Sequence, residues 1–131
     1  MRILDTDVCI EILRGNVRVL NRRRNTLDRV ATTWITAAEL YYGAAKSRHP
    51  QSKTEGVRAF LGTLPVFGFD EQSVRHFGRV KASLERAGQG LTDADLFIGS
   101  ICLARGAILV TGNIRHYHRI EGLLIEDWIR G

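Results

Sequence analysis

The chain has 131 residues, 44% of them apolar, which suits one ordinary domain built on one core, and a single domain spanning 1–131 is expected. Its 19 basic and 14 acidic side chains leave a net charge of +5, which favours a polyanionic partner such as a nucleic acid without establishing one. No charged stretch followed by a long apolar run opens the chain, and no apolar run is long enough for a bilayer, so a soluble, cytoplasmic protein with no membrane partner is expected.

Ile3 and Leu4 read as a short buried strand, and Asp7 to Leu13 as a helix with Val8, Cys9, Ile12 and Leu13 on one face. Gly15 and Asn16 break it. Val17 to Val30 reads as a second helix, dense in arginine at Arg18, Arg22, Arg23, Arg24 and Arg29, whose basic face is either solvated or turned to nucleic acid. The β-branched run Ala31 to Ile35 predicts a strand, and TAAEL then opens a helix with Ala37, Leu40, Tyr41 and Ala44 on one stripe. A helix from Ser52 to Leu61, a strand from Pro65 to Phe69 and a helix from Glu71 to Ala87 follow. Asp93 to Arg105 is almost wholly apolar after its first turn, the pattern of a helix buried on most sides. Strands at Ile108 to Val110 and Leu123 to Ile125 complete the chain, and strands alternating with helices predict an α/β fold with a mainly parallel sheet. Cys9 and Cys102 sit in apolar surroundings, where packing accounts for them better than a disulfide or a metal.

Several acids fall where helices begin. Asp7 starts the first predicted helix, Glu39 lies three residues after Thr36, and Asp95 lies three after Thr92; the last two have the capping-box spacing, which is a sufficient structural reason for either alone. Their combination suggests more. In an open parallel sheet the ligand crevice lies beyond the carboxyl ends of the strands, where Asp5, Glu39, Asp95 and Asn113 would converge. Carboxylates gathered there require a compensating cation, and hard oxygen ligands suit Mg²⁺, with Mn²⁺ as a substitute. Such an ion keeps waters that can attack a phosphodiester, while surrounding arginines hold the polyanion.

The segments LDTDVCI, ITAAELYYGA, DADLFIGSICLARG and ILVTGNIRHYHRIEGLLIEDW succeed one another along nearly the whole chain. In that order they resemble the PIN-domain ribonucleases, and within them the VapC toxins of bacterial toxin–antitoxin pairs. The resemblance implies a three-layer α/β/α fold with a mainly parallel sheet of four to five strands. It also implies a metal-dependent endoribonuclease acting on RNA, with tRNA, initiator tRNA in particular, as the suggested substrate, leaving a 5′-phosphate and a 3′-hydroxyl. Carried over by position, it makes Asp5, Glu39 and Asp95 the acidic site, with Asp5 and Asp95 the direct magnesium ligands and Glu39 acting directly or through a water. Asp7, where the family often has Asn, would support the site by capping or by orienting ligands; Asp93 neighbours Asp95; and Asn113 stands where many PIN domains have a fourth acid, so two ions are not assumed. Homodimers and inhibition by a cognate VapB-type antitoxin are further implications. Trp34, Tyr41 and Tyr42 are candidates for such an interface, although burial in the core is the commoner fate of these residue types.

His116 and His118 lack further His or Cys partners nearby and read as solvated or RNA-facing. Two other functions compete. A D-x-D after a first strand also marks haloacid-dehalogenase-like phosphatases, in which Asp5 would be a nucleophile. A non-catalytic, basic nucleic-acid- or partner-binding module would leave every acid a mere helix cap.

Overall fold

The computed structural model describes all 131 residues. The strands are β1 (Arg2–Leu4), β2 (Val30–Thr33), β3 (Val66–Phe67), β4 (Ile108–Val110) and β5 (Leu124–Glu126). The helices are α1 (Thr6–Leu13), α2 (Val17–Asn25), α3 (Trp34–Ala45), α4 (Pro50–Leu61), α5 (Glu71–Arg86), α6 (Asp93–Arg105) and α7 (Ile114–Tyr117). All four strand pairings are parallel and the spatial order is β3-β2-β1-β4-β5.

Alternation along the strands divides the interior in two. Ile3, Ala31 and Leu109 face a cluster with Val80 and Leu84 of α5 and Leu96, Ile98, Ile101 and Cys102 of α6. Leu4 and Val110 face the opposite cluster, with Val8 and Cys9 of α1, Val19 of α2, Leu40 and Ala44 of α3, and Val57 and Phe60 of α4. Helices therefore cover both faces of the sheet, giving the expected three layers, and the sheet reaches five strands. Both cysteines are free and buried, as their surroundings suggested.

Several boundaries differ from the sequence reading for local reasons. The ATTWI run is not one strand: β2 stops at Thr33, whose side chain accepts the Thr36 N–H at 3.2 Å and caps α3, so Trp34 and Ile35 are already helical. The first helix starts at Thr6, with Asp5 as its cap, rather than at Asp7. The arginine-rich helix ends at Asn25, where Thr26 Oγ1 donates back to the Arg22 carbonyl at 2.6 Å. Pro50 occupies the first position of α4, where the missing N–H costs nothing, and the helix starts two residues before Ser52. Strand β3 is only Val66–Phe67, and β5 lies one residue later than the predicted run. Helix α7 was not anticipated.

Three of the four α2 arginines are engaged by the protein itself, and only Arg24 is exposed without a partner. Arg18 donates to the carbonyls of Ile129 and Arg130, Arg22 to the Gly131 carbonyl and to Glu126, and Arg23 to Thr63. Arg18 and Arg22 fasten the last residues to the helix layer, next to the fully buried Trp128. Trp34 and Tyr42 are 58% and 66% exposed, so burial of this aromatic group does not hold. The reason lies in α3, whose inward stripe is Thr36, Ala37, Leu40 and Ala44, leaving Trp34, Tyr41 and Tyr42 on other faces.

Candidate functional site

The strand order reverses at β1: from it the chain builds outward through β2 and β3 on one side and through β4 and β5 on the other. Crevices for ligands form at such a switch point, beyond the carboxyl ends of the strands. Asp5 lies there. Its N–H extends the ladder by donating to the Val110 carbonyl at 2.9 Å, and its backbone then turns to cap α1. Thr111, next after β4, donates from Oγ1 to Asp5 Oδ2 at 2.8 Å, and the Thr6 N–H donates to Oδ1 at 2.9 Å.

Asp95 arrives from the other layer on the first turn of α6. Thr92 caps that helix by accepting the Asp95 N–H at 3.3 Å, but the Asp95 carboxylate does not return the bond to the cap. Its Oδ1 lies instead 3.1 Å from the hydroxyl of Tyr117, which is also 3.4 Å from Asp5 Oδ1. One phenol thus bridges the two carboxylates. Glu39 is likewise relieved of capping, because Thr33 rather than Thr36 caps α3. Its Oε1 accepts from Thr6 Oγ1 at 2.5 Å, and Thr6 Oγ1 is also 3.0 Å from Thr36 Oγ1. Glu39 therefore stands one hydroxyl away from the Asp5 cap. The capping explanation fails for the Glu39 and Asp95 side chains, whereas Asp5 does cap α1.

The remaining candidates fall outside this group. Asp7 accepts the Val8 N–H at 2.8 Å and reaches across to the Gly112 N–H at 2.9 Å, joining the start of α1 to the turn after β4. A Cβ at Gly112 would lie 3.0 Å from Asp7 Oδ2 and 3.1 Å from Arg130 Nη1, so a side chain there would press on the carboxylate that holds the turn. Asp93 points away to a surface ion pair with Lys81 at 3.0 Å and does not join Asp95. Asn113 engages His116 Nδ1 at 2.6 Å and shapes the turn without touching the acids. His116 and His118 are exposed.

Burial dominates the electrostatics. It raises the Asp5 carboxyl from 3.8 to about 7, the negative charges of Asp7 and Asp95 add to the rise, and the Thr111 and Thr6 donors oppose it. Asp7 is also raised, first by burial, with the Gly112 and Val8 N–H groups opposing. The centre thus lacks positive charge. Its donor set is all oxygen, and a hard divalent cation coordinated by Asp5 and Asp95 would supply the missing charge. No three acidic, His or Cys side chains are gathered closely enough to hold an ion by themselves. Two carboxylates completed by water are the usual holding of Mg²⁺, so the residues present fit that ion.

Beside Glu39, a cavity of about 530 Å³ opens between α1, α3 and α4, lined by Ile10, Leu13, Arg14, Lys53 and Val57 among others. It places an apolar floor and two cations next to the acidic centre.

Sequence reasoning missed Thr6, Thr111 and Tyr117. The spacing of Ile114, Tyr117 and Ile120 at every third residue was the available signal for Tyr117, but the flanking arginines and histidines of RHYHR obscured it.

An all-parallel, three-layer sheet with carboxylates from two layers meeting at its switch point defines a class of hydrolytic α/β domain, and comparison with known proteins identifies it. The sequence matches the PIN domain over residues 2–123. It is 32% identical over 128 residues to Ribonuclease VapC2 of Haemophilus influenzae, covering 97% of each chain. It is 35% identical over 127 residues to the tRNA(fMet)-specific endonuclease VapC of Salmonella typhimurium, covering 96% of each. The solved structure of DNA-bound VapBC from Salmonella typhimurium superposes with a TM-score of 0.92 at 34% identity, covering 97% of each chain. The chain belongs to the PIN-domain family and, within it, to the VapC ribonucleases. The phosphatase alternative falls with this finding. The non-catalytic module falls with it too. No helix is long and apolar enough to cross a membrane.

Proposed function

We propose that residues 1–131 act as one Mg²⁺-dependent endoribonuclease domain, the toxin of a toxin–antitoxin pair, with tRNA as substrate. The observation that carries this reading is the meeting of Asp5 and Asp95 on a single phenol at the switch point of the sheet. A bound Mg²⁺ would contribute charge neutralisation and an activated water for attack on the phosphodiester. Asp5 and Asp95 would hold the ion. Thr111 and the Thr6 N–H fix the Asp5 carboxylate, and Glu39, anchored by Thr6, is placed to orient a water or accept its proton. Asp7 supports the site by tying α1 to the Gly112 turn, while Asp93 and Asn113 act outside it. The surplus of basic side chains attracts the RNA backbone.

The name of the Salmonella relative supports tRNA as substrate, initiator tRNA first. The solved VapBC assembly supports a VapB-type antitoxin as partner, and the cavity beside Glu39 suits an apolar segment carrying a polar tip. Exposed Trp34 and Tyr42 suit a homodimer interface, because large exposed aromatics on one helix are expensive unless covered.

Incubating purified protein with total bacterial RNA in Mg²⁺, and mapping the ends produced, tests the substrate. One tRNA cut at one position, with a 5′-phosphate and a 3′-hydroxyl, is expected. Intact tRNA alongside cleavage of ribosomal RNA would overturn the tRNA assignment.

A further inference from the structure

Tyr117 is fully buried within the α5–α6 side of the core, and it is the last residue of a helix of only four. Packing accounts for its ring, since a phenylalanine would fill the same space. Packing does not account for its hydroxyl, because a polar group placed in a core costs free energy unless it is used. Here the oxygen lies 3.1 Å from Asp95 Oδ1 and 3.4 Å from Asp5 Oδ1. The neighbouring acids raise the phenol further above its ordinary range than burial alone, so it remains an un-ionised donor.

The two carboxylates depend on it unequally. Asp5 has two other donors, from Thr111 and from the Thr6 N–H. The Asp95 carboxylate receives no other hydrogen bond from the protein. Without the phenol, nothing but rotamer preference would hold Asp95 toward β1. Gly99 of α6 faces this segment, where a Cβ would lie 2.7 Å from the terminal methyl of Ile120 and 4.0 Å, an ordinary contact, from Tyr117 Cε1. Helix α6 and the α7 segment approach closely enough for the hydroxyl to reach both acids.

We infer that Tyr117 is a positioning residue, whose hydroxyl sets the separation and orientation of the Asp5 and Asp95 carboxylates for a divalent cation and leaves Asp95 Oδ2 open to it. This rests on the reading of Asp5 and Asp95 as metal ligands. Outer-shell hydrogen bonds of this kind typically change metal affinity by roughly 10- to 100-fold.

The test is Mn²⁺ binding by calorimetry to the full chain, comparing wild type, Tyr117→Phe and Asp95→Asn, with unfolding midpoints recorded in EDTA. Tyr117→Phe should remain folded and bind Mn²⁺ roughly 10- to 100-fold more weakly, with RNA cleavage recovering as Mn²⁺ is raised. Wild-type affinity in Tyr117→Phe, with binding lost in Asp95→Asn, would overturn the role of Tyr117 alone. Unchanged binding in Asp95→Asn would overturn the metal reading and this one with it. An independent readout on the wild type uses tyrosine labelled with ¹³C at Cζ. Of the three resonances, those of exposed Tyr41 and Tyr42 should stay in place on adding Mg²⁺ while that of Tyr117 moves. A Tyr117 resonance indifferent to Mg²⁺ would overturn the proposal even if the Phe variant did not fold.

Discussion

Replacing Asp5 by Asn should stabilise the metal-free protein at alkaline pH, although it removes a proposed metal ligand. Asp5 is 6% exposed, and its carboxyl is raised from 3.8 to about 7, chiefly by burial and then by Asp7. Across that window the folded state keeps a proton that the unfolded chain has released, so the folded state binds more protons and stability falls as pH rises. The contribution is fully present below about pH 4 and lost by the time the folded group ionises near pH 7. The gap between the two values corresponds to on the order of 4 kcal/mol. Asparagine keeps an acceptor for the Thr6 N–H and cannot ionise, while its amide must find a new arrangement with the Thr111 hydroxyl, which offsets part of the gain. Urea unfolding in EDTA should therefore place Asp5→Asn above wild type at pH 8 by about 1 to 3 kcal/mol, with the difference gone at pH 4. Adding Mg²⁺ should stabilise wild type alone, by about 2.7 kcal/mol at a hundred times the dissociation constant. A variant less stable than wild type at pH 8 in EDTA, or a difference between variant and wild type that does not grow between pH 4 and 8, would refute the electrostatic account of this centre.

Other substitutions separate packing from chemistry. Ser100 is 1% exposed with a hydroxyl that has no hydrogen-bond partner, so Ser100→Ala should be neutral or stabilising by up to about 1 kcal/mol in urea unfolding, with cleavage unchanged. Gly99→Ala should change stability by no more than about 1 kcal/mol and leave Mn²⁺ affinity as in wild type, since the added methyl displaces only the tip of Ile120, sits at ordinary contact distance from Tyr117 and favours the helix. Asp93→Asn should leave Mn²⁺ affinity and RNA cleavage as in wild type, because its partner is Lys81 on the surface, and the unfolding midpoint should be little changed.

Legibility in the sequence tracked how local the determining interaction is. The buried helix Asp93–Arg105 was readable because its apolar run and its Thr92 and Gly106 ends are all local, and its bounds match the structure. The parallel sheet followed from alternation of strands and helices, and the placing of Asp5 at a strand end from the apolar residues preceding it. What one sequence left open was which acid caps and which does chemistry. The capping-box spacing of Thr36 and Glu39 is genuine but unused, because Thr33 closes the strand one turn earlier. Asp93 and Asp95 differ by two residues and so point to different sides of α6, one to Lys81 and the other to Tyr117. Contacts between distant segments decided the rest. Thr111 meets Asp5 across 106 positions and Tyr117 meets it across 112, pairings that no local pattern specifies. Arg18 and Arg22 of α2 showed the same limit, since their partners lie in the final residues of the chain.

The most direct test of the central claim is cleavage of RNA by the purified wild type and by Asp95→Asn, each in Mg²⁺ and in EDTA, with folding verified by unfolding midpoint. Discrete products from wild type in Mg²⁺ alone, and none from the folded variant, are predicted. Equal cleavage by Asp95→Asn, or cleavage that persists in EDTA, would contradict the assignment of the Asp5–Asp95 pair as the metal-holding centre.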